Sequence, residues 1–462
     1  MKIVLILPTL SSPYSATPEP PLGLAYLAAC LLEYRTDLQI EIIDGFLLGQ
    51  EEYYKKISNI NADIVGVSTT MSQLSQALMI PRIVDEKDTK FIIGGPGVVN
   101  LPSSRLYESG YSAICYGEGE RTVVELVHAL ENGLPLEDIM GISYLNEGKE
   151  VKTPPRELIE NLDEIPFPAR DLLDMEKYIG TWKENMGVRV ASTISSRGCP
   201  FSCRFCDKTT FGGKIRFLSP SRMIEEMKLL YNRYGAEMVY FEDDLFTVNR
   251  KRVLEFCSLM EKELPGKMWG ASSRVNTIDK EMLARMKHAG CTDLIFGVES
   301  GSQKILDLLG KGITVEQIEN AFRWVKEVGI KAGMFLIIGV PGETQGDIDM
   351  TKRIIAKSEP NIIDVSYLTP IPGTEIYEMT KHLIRDDIDL SNYNLTESVY
   401  RKDIFDVELE ERGREIVNFF FATFKDRVNP RMSICGGTPI AVDQISISQK
   451  QHREKPNSVR MP

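Results

Sequence analysis

Three of the eight cysteines in this 462-residue chain are crowded into "RGCPFSCRFCDK", spaced Cys199-x3-Cys203-x2-Cys206. Thiolates gathered in this way hold zinc or an iron–sulfur cluster. A structural zinc site is closed and four-coordinate, with its ligands in two pairs. The nearby fourth ligand is missing here. No histidine lies between residues 129 and 287, and the next cysteine is Cys257. A cluster held by three thiolates leaves one iron open for a substrate or cofactor. The spacing favours that chemistry, with structural zinc as the alternative.

Other groups that can bind charge recur downstream. They are Glu242, Asp243 and Asp244 in "YFEDDLF", Ser273 and Arg274 in "SSRVN", Glu299 and Ser300 in "GVESGS", Gly339 in "IIGVPGE", and the turn "TPIPGT". Taken singly, each carboxylate reads as surface charge at a strand end.

The elements that carry these groups are legible from hydrophobic periodicity. Apolar runs at 190–195, 237–242, 267–272, 292–298, 332–338 and 362–369 read as strands, and amphipathic helices fall between them. Ser219–Pro220 and Thr314-x-x-Gln317 mark helix starts, and Gly235 and Gly329 mark stops. Six β/α units predict a partial barrel with chemistry at the strand carboxyl ends. The cysteines follow its first strand.

An earlier series alternates in the same way, with strands at 2–8, 40–44, 62–70, 89–97 and within 111–120. Continuously apolar strands separated by helices predict a parallel sheet covered on both faces. No G-x-G-x-x-G or P-loop follows its first strand. The expected order is an α/β Rossmann-like domain over 1–148, a proline-rich linker over 149–189, a partial (β/α)6 barrel over 190–385, and a helical C-terminal segment with a polar tail over 386–462. The helix around "VNFFFATF" is expected to pack as plain core rather than to cover the barrel mouth.

The chain is 43% hydrophobic and 26% charged, with 54 basic against 66 acidic residues and a net charge of −12. That balance argues against broad nucleic-acid or anionic-lipid binding. The apolar run before Pro8 is too short for a membrane span or a signal-peptide core. A cytoplasmic protein with reduced cysteines is expected.

The triad, with aromatic Phe205 before its last cysteine and the strand-end motifs behind it, resembles the radical S-adenosylmethionine enzymes over residues 190 to about 380. The resemblance implies a 4Fe–4S cluster on Cys199, Cys203 and Cys206. It implies S-adenosylmethionine held by Phe205, Glu242, Asp243, Asp244, Ser273, Arg274, Glu299, Ser300 and Gly339. It also implies a 5′-deoxyadenosyl radical that abstracts hydrogen, and a low-potential electron donor of flavodoxin or ferredoxin type.

Residues 1 to about 135 resemble the cobalamin-binding domain that precedes the radical module in one subclass, through "PTLSSPYSATPEPPLGLAYLAA", "VGVSTTMSQ", "GGPGVVN" and "YGEGERTVVEL". The residues implied for cobalamin are Thr9, Leu10, Ser68, Thr69, Thr70, Gly94, Gly95, Pro96, Gly97, Tyr116, Gly117, Glu118 and Gly119. The Asp-x-His-x-x-Gly motif of the better-known cobalamin proteins is absent. The only early histidine, His128, reads as surface or helix packing, so cobalamin is expected base-off, with Ser68–Thr70 near its lower face. Gly94, Gly95 and Gly97 are expected to let the nucleotide tail approach.

The two modules together imply a methyltransferase acting on an unactivated carbon of a small metabolite or a protein side chain, such as a glutamine of methyl-coenzyme M reductase. The alternatives are a cyclase or ring-rearranging enzyme with the same cofactors, and a non-catalytic iron–sulfur carrier or cobalamin-binding protein. A methylthiotransferase would need further cysteines, yet residues 1–198 hold only Cys30 and Cys115.

Overall fold

A computed structural model describes residues 1–10, 18–84, 88–405, 409–424, 434–435 and 438–439. The polar stretch "QKQHREKPNSVRMP" lies outside the described residues.

The first module is one sheet. Its strands are β1 (Lys2–Leu7), β2 (Gln39–Asp44), β3 (Ile64–Ser68), β4 (Lys90–Gly94), β5 (Ala113–Cys115), β6 (Ile142–Asn146) and β7 (Lys149–Lys152). Their order is β2-β1-β3-β4-β5-β6-β7, parallel through β5 and antiparallel after it. Side chains alternate between two cores. Val4 and Ile6 face one with Val65 and Ile93, while Ile3 and Leu5 face the other with Ile64 and Ile92. That double burial is why these strands read as unbroken aliphatic runs. The strand order reverses between β1 and β3, which opens a crevice at their carboxyl ends.

The β6–β7 hairpin was not expected. Glu147 and Gly148 both have positive φ, so a two-residue turn joins the strands. β7 therefore belongs to the sheet, and residues 149–189 are not simply a linker. They also contain the helix Met175–Met186, capped where Lys177 N donates to Asp174 Oδ1 at 3.3 Å and ended at Gly187. Tyr178 and Ile179 of this helix join the core of the second module.

The second module has parallel strands β8 (Val190–Thr193), β11 (Met238–Phe241), β12 (Met268–Ser273), β13 (Cys291–Glu299), β14 (Lys331–Ile338) and β15 (Ile362–Tyr367), in the order β8-β11-β12-β13-β14-β15. Strands β16 (Ile434–Cys435) and β17 (Thr438–Pro439) extend the edge beyond β15. This is an open half-barrel. A two-residue antiparallel pair, β9 (Ser196–Arg197) with β10 (Arg216–Phe217), forms the stem of the loop that carries the three cysteines. The capping box at Thr314 and the stop at Gly329 form as the sequence predicts. The C-terminal helix Leu409–Phe424 packs Ile416, Val417, Phe420 and Phe424 into the barrel core, as plain core packing predicts.

Buried charge joins the modules. Glu118, after β5, accepts from Arg197 Nη1 at 2.8 Å, from Arg216 Nη1 at 2.9 and 2.8 Å, and from Ile159 N at 2.7 Å. Glu120 accepts from Arg197 Nη2 at 2.6 Å. All four side chains are more than nine-tenths buried. Burial alone would raise the Glu118 carboxyl, but the bonds from Arg216 and Arg197 outweigh it and hold it below the usual range. Among the described residues no helix is long and apolar enough to cross a membrane.

The turn after β4 supplies a stability test. Gly95 has φ +90, and a Cβ there would lie 2.7 Å from Thr69 O. Gly117 also has positive φ but has nothing within 4 Å of its Cβ position. Gly117→Ala should cost only the left-handed backbone penalty, about 1–2 kcal/mol. Gly95→Ala should cost clearly more, read as a larger drop in unfolding midpoint. Equal drops would contradict the packing of this turn.

Candidate functional site

The cysteine loop is tied to the barrel on both sides. Arg204 N donates to Leu309 O at 2.9 Å, Ile376 N donates to Arg204 O at 3.0 Å, and Arg204 pairs with Glu375 at 2.9 Å. Lys208 Nζ donates to Phe201 O. Phe205 packs beside the cluster of Ile305, Leu309 and Val340. Arg274, at the end of β12, donates to Cys203 Sγ at 3.4 Å and lies over the Phe201 ring.

The thiols are close enough to feel one another's charge. Burial first, then Asp244, Cys203 and Cys199, push the Cys206 thiol up to about 11. Such a thiol keeps its proton near neutrality until a metal's positive charge displaces it. Three soft sulfur donors on one well-anchored loop are the donor set a polynuclear iron–sulfur centre takes. Among the described residues no group of three His, Cys, Asp or Glu, the triad included, stands arranged around a single metal ion. Burial pushes the thiols of Cys30, Cys115 and Cys257 up to about 12, which leaves them inert.

The three acidic residues after β11 have separate fates. Asp243 is buried, and its carboxylate accepts from Ser195 N at 2.6 Å, Ser195 Oγ at 2.6 Å and Ser196 Oγ at 2.7 Å. It braces the stem of the cysteine loop, so its expected contact to S-adenosylmethionine gives way to a positioning role. Glu242 and Asp244 remain open. Glu242 is solvent-accessible yet crowded by protein. Burial, then Glu19 and Asp243, push its carboxyl well above the ordinary range. Burial and then Asp243 likewise raise Asp244.

Glu19 was not singled out from the sequence. It comes from the first module and reaches the barrel's first strand, where Ser192 Oγ donates to it at 2.6 Å and Trp182 Nε1 at 2.9 Å. Nothing local in "PEPPLG" signals this, because the partners are more than 160 residues away.

Glu299, at the end of β13, holds a left-handed φ of +65, a strained conformation for a glutamate and one that clusters at functional sites. Its Oε1 accepts from Lys311 Nζ at 2.6 Å, and both side chains are buried. Lys311, in "GKG", was also missed. Ser300 Oγ accepts from Ser302 N at 3.1 Å. The Ser273 hydroxyl is bonded to Thr247 Oγ1. Gly339 N donates to Glu343 Oε2 at 2.8 Å, which shapes the loop after β14. Arg412, from the C-terminal helix, donates to Glu343 O at 2.9 Å and fixes that loop from behind.

In the first module a cavity of about 200 Å³ lies against the sheet, beside the helices Leu22–Tyr34 and Glu120–Asn132. Ser68, Gly94, Gly95, Pro96, Gly117 and Gly119 line it. Other expected contacts are diverted. Thr69 Oγ1 donates to Thr70 O at 2.9 Å, and Thr70 Oγ1 bonds Gln73 Oε1 at 3.0 Å to cap the next turn. Gly97 is pressed against Thr70, where a Cβ would lie 2.7 Å from its carbonyl oxygen. Gly95 and Gly97 thus serve the packing of two loops, and Gly95 also lines the cavity. The Tyr116 ring sits beside Lys152, away from the cavity. Glu118 borders the cavity, but its carboxylate is committed to arginines. Thr9 is buried and Leu10 half-buried, and neither lines the cavity. His128 is exposed and bonded to Tyr34 Oη at 2.8 Å.

Comparison with known proteins follows this division. Residues 193–355 match the radical SAM superfamily, and residues 14–127 match the B12 binding domain. The chain is 38% identical over 387 residues to the uncharacterized methyltransferase PH0819 of Pyrococcus horikoshii, covering 82% of this chain and 83% of that one. The chain belongs to the cobalamin-binding radical S-adenosylmethionine enzyme family. It is also 29% identical to an anaerobic magnesium-protoporphyrin IX monomethyl ester cyclase of Rubrivivax gelatinosus, covering 84% of this chain and 71% of that one. The fold matches the radical S-adenosylmethionine methyltransferase TsrM from Kitasatospora setae with cobalamin and a [4Fe-4S] cluster bound, with TM-score 0.69 and 16% identity over 94% of this chain and 90% of that one. The radical SAM and B12 binding families that the chain matches bring a 4Fe–4S cluster, S-adenosylmethionine and cobalamin as its cofactors.

Two outcomes test this arrangement. Changing Cys199, Cys203 and Cys206 together to Ala should abolish bound iron and sulfide in the anaerobically reconstituted protein while cobalamin still binds. Zinc without sulfide in the wild type would contradict the cluster. The second outcome concerns Glu19, which burial, opposed by the bonds from Ser192 and Trp182, raises from 4.5 to about 7. Between those values the folded chain binds more protons than the unfolded one, so this contribution to stability is lost as pH rises through the window. Glu19→Gln should therefore gain in unfolding midpoint relative to wild type between about pH 5 and about pH 8. A pH-independent gap would contradict the burial of Glu19.

Proposed function

We propose that this enzyme is a C-methyltransferase that methylates an unactivated carbon of a small metabolite or a protein side chain, a glutamine of methyl-coenzyme M reductase being one example. The observation that carries this reading is that the cysteine loop and the cobalamin module are built as one body, with the loop's stem residues Arg197 and Arg216 buried against Glu118. When bound, the cluster and S-adenosylmethionine supply a 5′-deoxyadenosyl radical, and cobalamin carries the methyl group.

The chain's own residues hold and orient these groups. Cys199, Cys203 and Cys206 hold the cluster. Glu242 and Asp244, with no side-chain cation bonded to them among the described residues, would accept from the ammonium of S-adenosylmethionine, whose charge would lower their raised carboxyls. Arg274, beside the cysteine loop, and Lys311, beside Glu299, would pair with its carboxylate. Ser300 and the Gly339 turn bound the nucleoside. Asp243 and Arg412 position loops and touch no substrate. A low-potential flavodoxin or ferredoxin supplies electrons.

A second reading, a cyclase with the same cofactors, is favoured by the likeness to the Rubrivivax enzyme. Products separate the two without knowledge of the substrate. With reduced cobalamin and S-adenosylmethionine, a methyltransferase should accumulate S-adenosylhomocysteine. With substrate it should also form 5′-deoxyadenosine and add one methylene to the substrate's mass. 5′-Deoxyadenosine without S-adenosylhomocysteine would establish the cyclase reading instead.

A further inference from the structure

We propose that Phe211, carried on the barrel module just beyond the cysteine triad, is the outer wall of the pocket for the aromatic base of the cobalamin tail. The tail is then gripped by both modules, and the cysteine loop responds to its presence. The proposal rests on the cobalamin assignment above.

The cavity in the first module supplies the geometry. Its floor and sides are aliphatic, with Leu5 and Ile64 from the sheet and Leu24 and Val127 from the two helices. An apolar void of about 150 Å³ already accepts benzene, so about 200 Å³ suits a flat bicyclic base. Its polar groups are quiet. Burial keeps the Cys115 thiol protonated, with its pKa near 12, and the carboxylates of Glu118 and Glu120 are occupied by arginines. Nothing charged is left to repel a neutral aromatic ring.

Sequence distance makes one wall unusual. Thr210 and Phe211 line the cavity, yet they belong to the loop between the cysteines and β10, not to the first module. Phe211 is held at two points. The Arg197 guanidinium lies 5.3 Å from its ring centroid, and Arg216 Nη2 donates to its carbonyl at 3.4 Å. Its carbonyl also lies near Gly198, the residue before Cys199, where φ is +84 and a Cβ would lie 3.1 Å from Phe211 O and 2.5 Å from Lys214 O. Phe211 is therefore a neighbour of the backbone that enters the cysteine triad. The two arginines that steady Phe211 are those that join the modules, so filling the cavity and fixing the loop draw on the same contacts.

Cobinamide, which has the corrin ring but no nucleotide tail, separates tail recognition from corrin recognition. The full chain with its cluster reconstituted anaerobically should bind cobalamin more tightly than cobinamide. Phe211→Ala should weaken cobalamin about tenfold and leave cobinamide unchanged, with Phe211→Leu in between. Hydrogen exchange on the wild type should show the amides of residues 209–214 protected by cobalamin and not by cobinamide, a readout that stands even if Phe211→Ala fails to fold. Equal losses for the two corrinoids, or exchange in that segment indifferent to cobalamin, would overturn the role of Phe211. If wild type binds neither corrinoid, the cobalamin assignment itself fails and the proposal with it.

Discussion

Everything in this molecule depends on one buried electrostatic constraint. Glu118 and Glu120 from the first module meet Arg197 and Arg216 from the second with little solvent access. Desolvating four charges is costly, and their mutual attraction offsets that only when nearly every donor and acceptor is met. Here most of it is met by bidentate and shared bonds, together with the Ile159 amide, while Arg216 Nε has no partner among the described residues. Removing a single partner of such a set typically costs about 3–5 kcal/mol. The consequence is orientation more than stability. Arg197 and Arg216 sit on the two short strands that close the cysteine loop, so the same contacts bear on the docking of the modules and on the stem of that loop.

Around that joint the chain sorts its charges by function. Carboxylates that brace backbone, such as Asp243 and Glu118, are saturated with hydrogen bonds. Carboxylates facing the mouth, such as Glu242 and Asp244, are left with raised proton affinity, which a bound cation would lower. Between these extremes stands the Glu299–Lys311 pair, buried but held on strained backbone, with an arrangement that another charged group could reorganise.

Much of this was legible in the sequence because it is local. Strand and helix periods placed both sheets, and the cysteine spacing marked the loop proposed to hold the cluster. What escaped depends on pairing over long sequence separations. Glu118 sits within a glycine-rich motif that resembles a ligand loop, and only the fold reveals the arginines that claim it. Asp243 lies between two open carboxylates of the same motif, and the turn after β11 decides which of the three points back at Ser195. Lys311 and Glu19 carry no motif at all. The β6–β7 hairpin did carry a signal, "NEGK", which the neighbouring proline-rich stretch obscured.

The central claim is that buried charge fixes the cobalamin module and the cysteine loop in a single relative geometry. Pulsed electron paramagnetic resonance between cob(II)alamin and the reduced cluster measures that geometry directly. One narrow distance distribution is expected in the wild type, broadening in Arg197→Met with both cofactors still bound. A broad distribution in the wild type, or an unchanged narrow one in the variant, would contradict it.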